Sequence, residues 1–506
     1  MAVARTLAVA LHGVDGSIVE IEADLANGLP AFTIIGLPDT ALGEAKDRVR
    51  SAATNSGCDL PTRKVTVNLS PASLPKHGSG FDLGIAVAAL ATTGVVSADA
   101  IAAVVHLGEL SLDGRLRPVA GVLPAVLAAR RAGARAVVVP SGNAAEAGLV
   151  PGIRVIGAAS LRDVLIGHGA ALDPVPVEAL AAPEPGPAPL DGGDLADVVG
   201  HPEAVEALQV AAAGGHHMLM LGPPGAGKTL LASRLPGLLP DLEPDAAVEV
   251  SSIRSLAGLP LGSSLVRRPP LEAPHHSATM AALVGGGSGL VRPGAISRAA
   301  HGVLFLDEAP EFAGAVLDAL RQPLETGEIT IHRARTVARF PARFQLVLAA
   351  NPCPCGHGGG DECTCTAMMR RRYLGRLSGP LLDRIDLHLT VRRVGVAQMT
   401  EGAPGSLTTA QARARVLEAR RRGRERWGDQ GWSLTAHVPG PALRSPRWRL
   451  AAADRAALDR ALERGALTMR GYDRVLRVAW TLADLDGADR PSADHLGRAL
   501  YLRKGI

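Results

Sequence analysis

The chain has 506 residues, too many for one hydrophobic core, so its length predicts two to four domains. Hydrophobic residues make up 47% and aromatics only 3%, so the cores rely on Ala, Val and Leu, as α/β proteins do. No run approaches the roughly 18 apolar residues of a membrane span, which excludes an integral membrane helix and predicts a soluble, cytoplasmic chain. The opening "MAVARTLAVALHGVDGS" meets Gly and Asp before any cleavage-like site and reads as a first strand rather than a leader. Residues 1–170 then alternate β-rich runs ("AFTIIGL", "KVTVNL", "ARAVVVP") with Ala-rich helical ones, the pattern of an α+β domain. Residues 171–194, dense in Pro, Ala and Gly, read as a linker. A second α/β unit spans 195–395, and a helix-dominated module spans 396–506. From Glu401 onward there are 20 basic against 12 acidic residues, an excess of +8, which leaves 4 − 8 = −4 for the first 400. A basic module on a mildly acidic body suits either a polyanion partner or a solvated helical surface.

Within the first domain, "PASLPKHGSGFDLGIA" (Pro71–Ala86) followed by "GELSLDGRLRPVAGVLPAVLAA" resembles the Lon-protease fold, a ribosomal-S5-like arrangement. A Lon-type site needs a serine four residues after the lysine of its "PK" turn and a later lysine as base. Gly80 stands at the first place, with Ser79 one residue early, and Leu123 stands at the second. A serine beside leucine has nothing to take its proton, so the resemblance implies an inactive scaffold and not a protease. Lys76 and His77 are expected at a surface contact or in a solvated loop, and Cys58 is expected to be buried.

In the second unit, "HHMLMLGPPGAGKTLLASRL" is an apolar strand, a glycine-rich turn and a helix start. Gly222, Pro223, Pro224, Gly225, Ala226, Gly227, Lys228 and Thr229 fit G-x-x-x-x-G-K-[ST]. Its backbone N–H groups and helix N-terminus cradle phosphates, Lys228 reaches the β- and γ-phosphates, and Thr229 ligates Mg2+. "GVLFLDEAPEF" ends a buried strand in two acids, with Asp307 suited to hold Mg2+ and Glu308 to polarise a water. Asp307 lies 307 − 228 = 79 residues beyond Lys228, so an insert is expected between them. The insert contains three consecutive glycines that read as a protruding loop, and His275 and His276, adjacent in sequence, are expected to be structural rather than a metal pair. "RFQLVLAANP" ends a third strand at Asn351, a natural γ-phosphate sensor. "LSGPLLDRIDLHL" puts Arg384 just before another strand, where a subunit edge would let it reach a neighbour's nucleotide. In the tail, Arg470, Arg474 and Arg477 lie on faces of one helix, and one of them is expected to complete the site from a lid.

Together "GPPGAGKT", "PHHSAT", "GGGSGLVRPGAIS", "GVLFLDEAPEF", "AANPCPCG", "LSGPLLDRIDLH" and "MRGYDRVLRVA" resemble the magnesium-chelatase-like AAA+ ATPases, and more closely the YifB/ComM family. Ala309 replaces an expected Leu, a conservative departure. The resemblance implies an AAA+ P-loop core with a helical lid, ATP and Mg2+ as cofactors, and self-association into a ring, a hexamer. It implies Arg384 as arginine finger, Asn351 as first sensor and Arg470 as second sensor. It points to helicase or branch-migration work on single-stranded or branched DNA; a chelatase-type or protein-remodelling motor is the alternative.

Three features remain open on the residues alone. "EITIHRARTVARFPARF" alternates like a β-hairpin, and Arg333, Arg335 and Arg339 either contact DNA phosphates or merely discourage edge pairing. "QARARVLEARRRGRERW" spreads arginines around a helix, for polyanion contact or simple exposure. In "CPCGHGGGDECTC", Cys353, Cys355, Cys363 and Cys365 suit Zn2+ or stay as reduced thiols, with His357 a competing ligand.

Overall fold

A computed structural model describes residues 3–36, 40–181, 192–287, 291–332, 337–358, 362–395 and 407–503. Among these, no helix is long and apolar enough to cross a membrane.

The N-terminal part is a seven-stranded mixed sheet, in the order Ala31–Ile35, Lys64–Ser70, Asp15–Ala26, Val3–His12, Val104–His106, Ala136–Pro140, Arg154–Ala158. Side chains alternate across a strand, so Val3–His12 sends Ala4, Ala8 and Ala10 to one face and Leu7, Val9 and Leu11 to the other. The first face packs on helices Ala45–Asn55 and Asp82–Ala91, the second on Val122–Arg131. All ten residues of Asp82–Ala91 are buried, which explains why it is apolar on every side. Residues 171–181 carry neither strand nor helix.

Five strands form the second sheet: Leu271–Glu272, Val303–Leu306, Gln345–Ala350, Met218–Leu221 and Leu387–Thr390, each pair parallel. Leu219, Leu304, Leu306, Leu346 and Leu348 face one core. Met218, Met220, Phe305, Val347 and Leu387 face another, which continues without a break into helices Thr409–Trp427, Met469–Leu485 and Ala493–Tyr501. The C-terminal helices thus share a core with the sheet instead of hanging free. Trp427 and Trp480 are fully buried there, their ring centroids 5.5 Å apart, and the Arg426 guanidinium stacks 4.5 Å over Trp480 while pairing with Asp484.

The first domain docks on helix Pro244–Leu256 of the second. Gly121 donates its amide to the Ser255 carbonyl (3.0 Å), and the Ser255 hydroxyl donates to Glu146. A hairpin, Glu328–His332 with Val337–Pro341, packs Ala338 and Phe340 against Leu256 and Leu11. The hairpin's base therefore lies between the domains. Arg339 is exposed on it, whereas Arg333 and Arg335 lie outside the described residues. Part of the insert expected to protrude is instead ordered, since Gly285–Gly286 pair antiparallel with Arg292–Pro293.

At the amino end of the parallel strands a buried polar network ties sheet to lid. Asp386 pairs with His216 (3.2 Å) and with Arg474, and His216 reaches the Thr481 hydroxyl (2.8 Å). Burial by itself raises the Asp386 carboxyl, but Arg474 and His216 outweigh it and hold the group well below the usual carboxylate range. A depressed folded-state pKa contributes stability above the unfolded value, and that contribution is lost as pH falls through the folded one. Asp386→Asn is therefore expected to cost about 3 kcal/mol at neutral pH by leaving Arg474 unpaired. The difference from wild type should close as pH drops below about 4, measured by urea unfolding across the pH range.

Candidate functional site

Strands that run parallel deliver all their carboxyl ends to one edge, and the loops leaving that edge form a crevice. Leu221 pairs with Ala350, and Leu306 with Leu348, so Gly222, Asn351 and Asp307 emerge side by side. The strand bearing Asn351 lies between those bearing the glycine loop and the acids.

The loop needs its glycines for separate reasons. A Cβ on Gly222 would lie 2.2 Å from the Val391 carbonyl oxygen, while Gly225 and Gly227 adopt φ of 76° and 86°. Helix Lys228–Leu238 then starts with its free N–H groups aimed into the crevice. Lys228, only 7% exposed, donates to the carbonyls of Gly222 (2.6 Å) and Pro223 (2.9 Å) and to Asn351 Oδ1 (3.0 Å). Burial lowers its amine below the ordinary value, and Asp307 and Glu308 pull it partly back.

Thr229 donates its hydroxyl to Asp307 Oδ2 (2.7 Å), and Asp307 Oδ1 accepts the Glu308 amide (2.8 Å). A hydroxyl and a carboxylate at this spacing make a hard-oxygen donor set, which fits Mg2+ completed by waters and phosphate. Glu308 sits at φ 51°, a left-handed conformation that costs a non-glycine residue about 1 kcal/mol. Arg376 steadies the turn that follows by donating to the Pro310 carbonyl (3.0 Å) and to Glu311 (3.1 Å).

Beside the acids lies a cavity of about 340 Å3 lined by Thr229, Asp307, Glu308, His275 and His276. The two histidines form part of this cavity wall. Their rings stack with centroids 4.0 Å apart, and His276 Nδ1 lies 3.2 Å from Glu308 Oε2. Sequence reasoning missed His276 because nothing local shows that the short strand Leu271–Glu272 runs beside the acid-bearing strand and so carries "PHH" to Glu308. It also missed Tyr373, buried against the Asn351 backbone, its phenol pushed up to about 12 by burial and then by Glu311 and Glu308.

Arg384 and Arg470 lie elsewhere. Asp386 and Leu387 both donate their amides to the His217 carbonyl, so Arg384 precedes the amino end of its strand. At 3.3 Å per residue, the five residues from His217 to Gly222 put roughly 16 Å between the two edges. Arg384 pairs with Glu325, and burial lowers its guanidinium, as do the neighbouring cations Arg321, Arg470 and Arg474. Arg470 is 76% exposed and 3.8 Å from Asp383, so it joins Arg384 instead of closing over the chain's own crevice as expected of a lid residue. Arg474 and Arg477 are likewise committed, to Asp386 and to the Val438 carbonyl.

Most of the arginine-rich helix also has partners within the chain. Arg413 pairs with Asp241, Arg420 donates to the Ala212 carbonyl, Arg421 pairs with Glu418, Arg422 bonds the Gly487 carbonyl, and Arg426 pairs with Asp484. These side chains thus have partners within the chain.

At the Lon-like stretch, Lys76 is fully buried and donates to the carbonyls of Gly36 (3.0 Å), Leu69 (2.9 Å) and Pro71, so it belongs neither to a surface contact nor to a solvated loop. Ser79 does have an acceptor, since its hydroxyl donates to Glu109. Ser79 and Gly80 line a cavity of about 520 Å3 that is walled on one side by Ser255 and Ala257–Leu261.

Three family models match: "Subunit ChlI of Mg-chelatase" over residues 21–143, "Magnesium chelatase, subunit ChlI" over 194–399, and "Magnesium chelatase, subunit ChlI C-terminal" over 406–503. The chain is 50% identical to an uncharacterized protein of Mycobacterium tuberculosis, spanning 100% of this chain and 99% of that one. It is 43% identical to the competence protein ComM of Haemophilus influenzae across 99% and 98% of the two chains. It is 40% identical to YifB of Escherichia coli across 97% and 95%. A 139-residue stretch is 32% identical to the Lon protease of Chloroflexus aurantiacus, covering 26% of this chain and 16% of that one.

Because His276 meets Glu308, His276→Ala is expected to lower the turnover of bound nucleotide about tenfold with affinity unchanged. Steady-state hydrolysis and equilibrium binding of a fluorescent ATP analogue separate the two effects, and His276→Gln, which can still donate, should retain more turnover.

Proposed function

The chain belongs to the YifB/ComM family of magnesium-chelatase-like AAA+ proteins, and on that premise we propose that this AAA+-type ATPase is a ring motor that remodels DNA. Its work is helicase action or branch migration on recombination intermediates, and its cofactors are ATP and Mg2+. One observation carries the ring: the phosphate loop and Arg384 lie at opposite edges of one parallel sheet, roughly 16 Å apart. A single copy cannot bring both to one γ-phosphate; a second copy of this chain, docked edge to edge, can. Arg384 has Arg321, Arg470 and Arg474 as neighbouring cations, and a neighbour's triphosphate would compete there with the carboxylates that these arginines now meet, Glu325, Asp318, Asp383 and Asp386.

In this reading the loop amides, the helix N-terminus and Lys228 neutralise the phosphates. Glu308 accepts the proton of the attacking water, held in line by its left-handed turn and by His276. Asn351, already bonded to Lys228, senses the terminal phosphate. Mg2+, held by Thr229 and Asp307, would draw negative charge off the transferring phosphoryl group. Arg384 and Arg470 arrive from the adjacent copy, and a finger of this kind contributes roughly 10³–10⁵ in rate.

DNA as the partner is supported by the competence naming of the 43% identical relative and by the exposed Arg339 on the hairpin. The arginine-rich helix lends less support, given its internal pairs.

Two measurements test the reading. Lys228→Ala and Arg384→Ala should each abolish ATP hydrolysis, yet a mixture of the two should recover part of it, because some interfaces then join an intact loop to an intact arginine. A mixture as inactive as its components would sink the shared site. ATPase rates should rise with single-stranded or four-way-junction DNA at low salt and fall off steeply as salt increases; indifference to every DNA points to a chelatase-type or protein-remodelling motor.

A further inference from the structure

Four of the five cysteines meet at one point: Cys353, Cys355, Cys363 and Cys365 place their sulfurs within 4.8 Å of one another. The Cys353–Cys355, Cys355–Cys363 and Cys353–Cys363 separations are 3.3, 3.6 and 3.8 Å. A disulfide requires about 2.05 Å. A tetrahedral Zn2+ with bonds of about 2.3 Å sets its sulfurs about 3.8 Å apart. The cage is thus the size of one ion. His357, the competing ligand by sequence, points its Nδ1 at Glu362 (3.0 Å). Cys353 also accepts the Gly358 amide (3.3 Å), the kind of N–H contact that supports a thiolate.

The cage touches the phosphate crevice at two places. Asn351, whose Oδ1 accepts from Lys228, lies two residues before Cys353. Gly356, in the turn closed by its amide to the Cys353 carbonyl (3.0 Å), packs so tightly on Pro224 that a Cβ would lie 2.6 Å from the proline ring. Gly356 also adopts φ 87°.

We infer that Cys353, Cys355, Cys363 and Cys365 hold one Zn2+ in a closed all-sulfur site that clamps Asn351 and Pro224 and thereby sets the shape of the phosphate loop. The inference rests on reading residues 222–229 as that loop. Closed tetrahedral sites of this type contribute folding energy and leave no position open for substrate, so the ion acts on nucleotide binding through the protein.

The test uses the full-length chain, expressed with zinc supplied and purified without chelator. Elemental analysis should find one zinc per chain in wild type and in Cys58→Ser, and less than half in Cys363→Ser and Cys365→Ser. Should the serine variants fail to fold, zinc is stripped from the folded Cys58→Ser protein with an organomercurial and followed with a chromogenic dye. Affinity for a fluorescent ATP analogue should fall about tenfold as the ion leaves and return when thiol and zinc are restored. Less than half a zinc in wild type, or iron in its place, overturns the site. Full zinc with nucleotide affinity indifferent to its removal overturns the clamp. Neither readout involves DNA or turnover, so a motor that ignores DNA leaves this result standing, and the absence of zinc leaves the DNA reading standing.

Discussion

The parallel direction of the five-stranded sheet is the constraint on which the rest depends. Every hydrogen-bonded neighbour runs the same way, so the carboxyl ends of three strands bring Gly222, Asn351 and Asp307 together, while the amino end of a fourth carries Arg384 to the far edge. Gly222 is inserted so tightly between its neighbours that it donates to the Ala350 carbonyl while lying against Val391, with no room for a side chain. The chemistry of the crevice and its incompleteness in one copy are two consequences of the same register.

Around this sheet, several buried charges are matched by an opposite charge. Asp386, Arg474 and His216 form a closed group under the lid, and Arg426 sits between Asp484 and Trp480. Desolvation of such groups is costly enough that an unmatched member would oppose folding, so these pairs dictate which way the C-terminal helices face. They also explain why a chain segment rich in arginine presents fewer free cations than its composition suggests.

The first domain carries the likeness to a Lon protease, and in it Ser79 donates to Glu109. Its cleft is walled by Ser255 and Ala257–Leu261, at the end of the helix that follows the phosphate-loop helix along the chain, and Glu146 holds the Ser255 hydroxyl. The hairpin carrying Arg339 bridges to Gly13 of the same domain. Helix, cleft and hairpin thus form one set of contacts between the two domains.

Much of this was legible in the sequence. The glycine loop, the paired acids and the polar end of "AANP" are local signals, because a strand followed by a turn determines what emerges from it. A β-rich composition likewise marked "AFTIIGL" and "KVTVNL" as strands. What stayed hidden depended on which strands become neighbours. His276 meets Glu308 only because Leu271–Glu272 lies beside Val303–Leu306; Lys76 is buried only because the carbonyls of Gly36, Leu69 and Pro71 converge on it; Ser79 finds an acceptor in Glu109, 30 residues away. The sequence by itself determined the chemistry available: a phosphate-binding loop, a pair of acids, a thiol cluster and several arginines. Only the tertiary structure decided which of them share an edge, since register and packing bring together side chains that no spacing along the chain predicts.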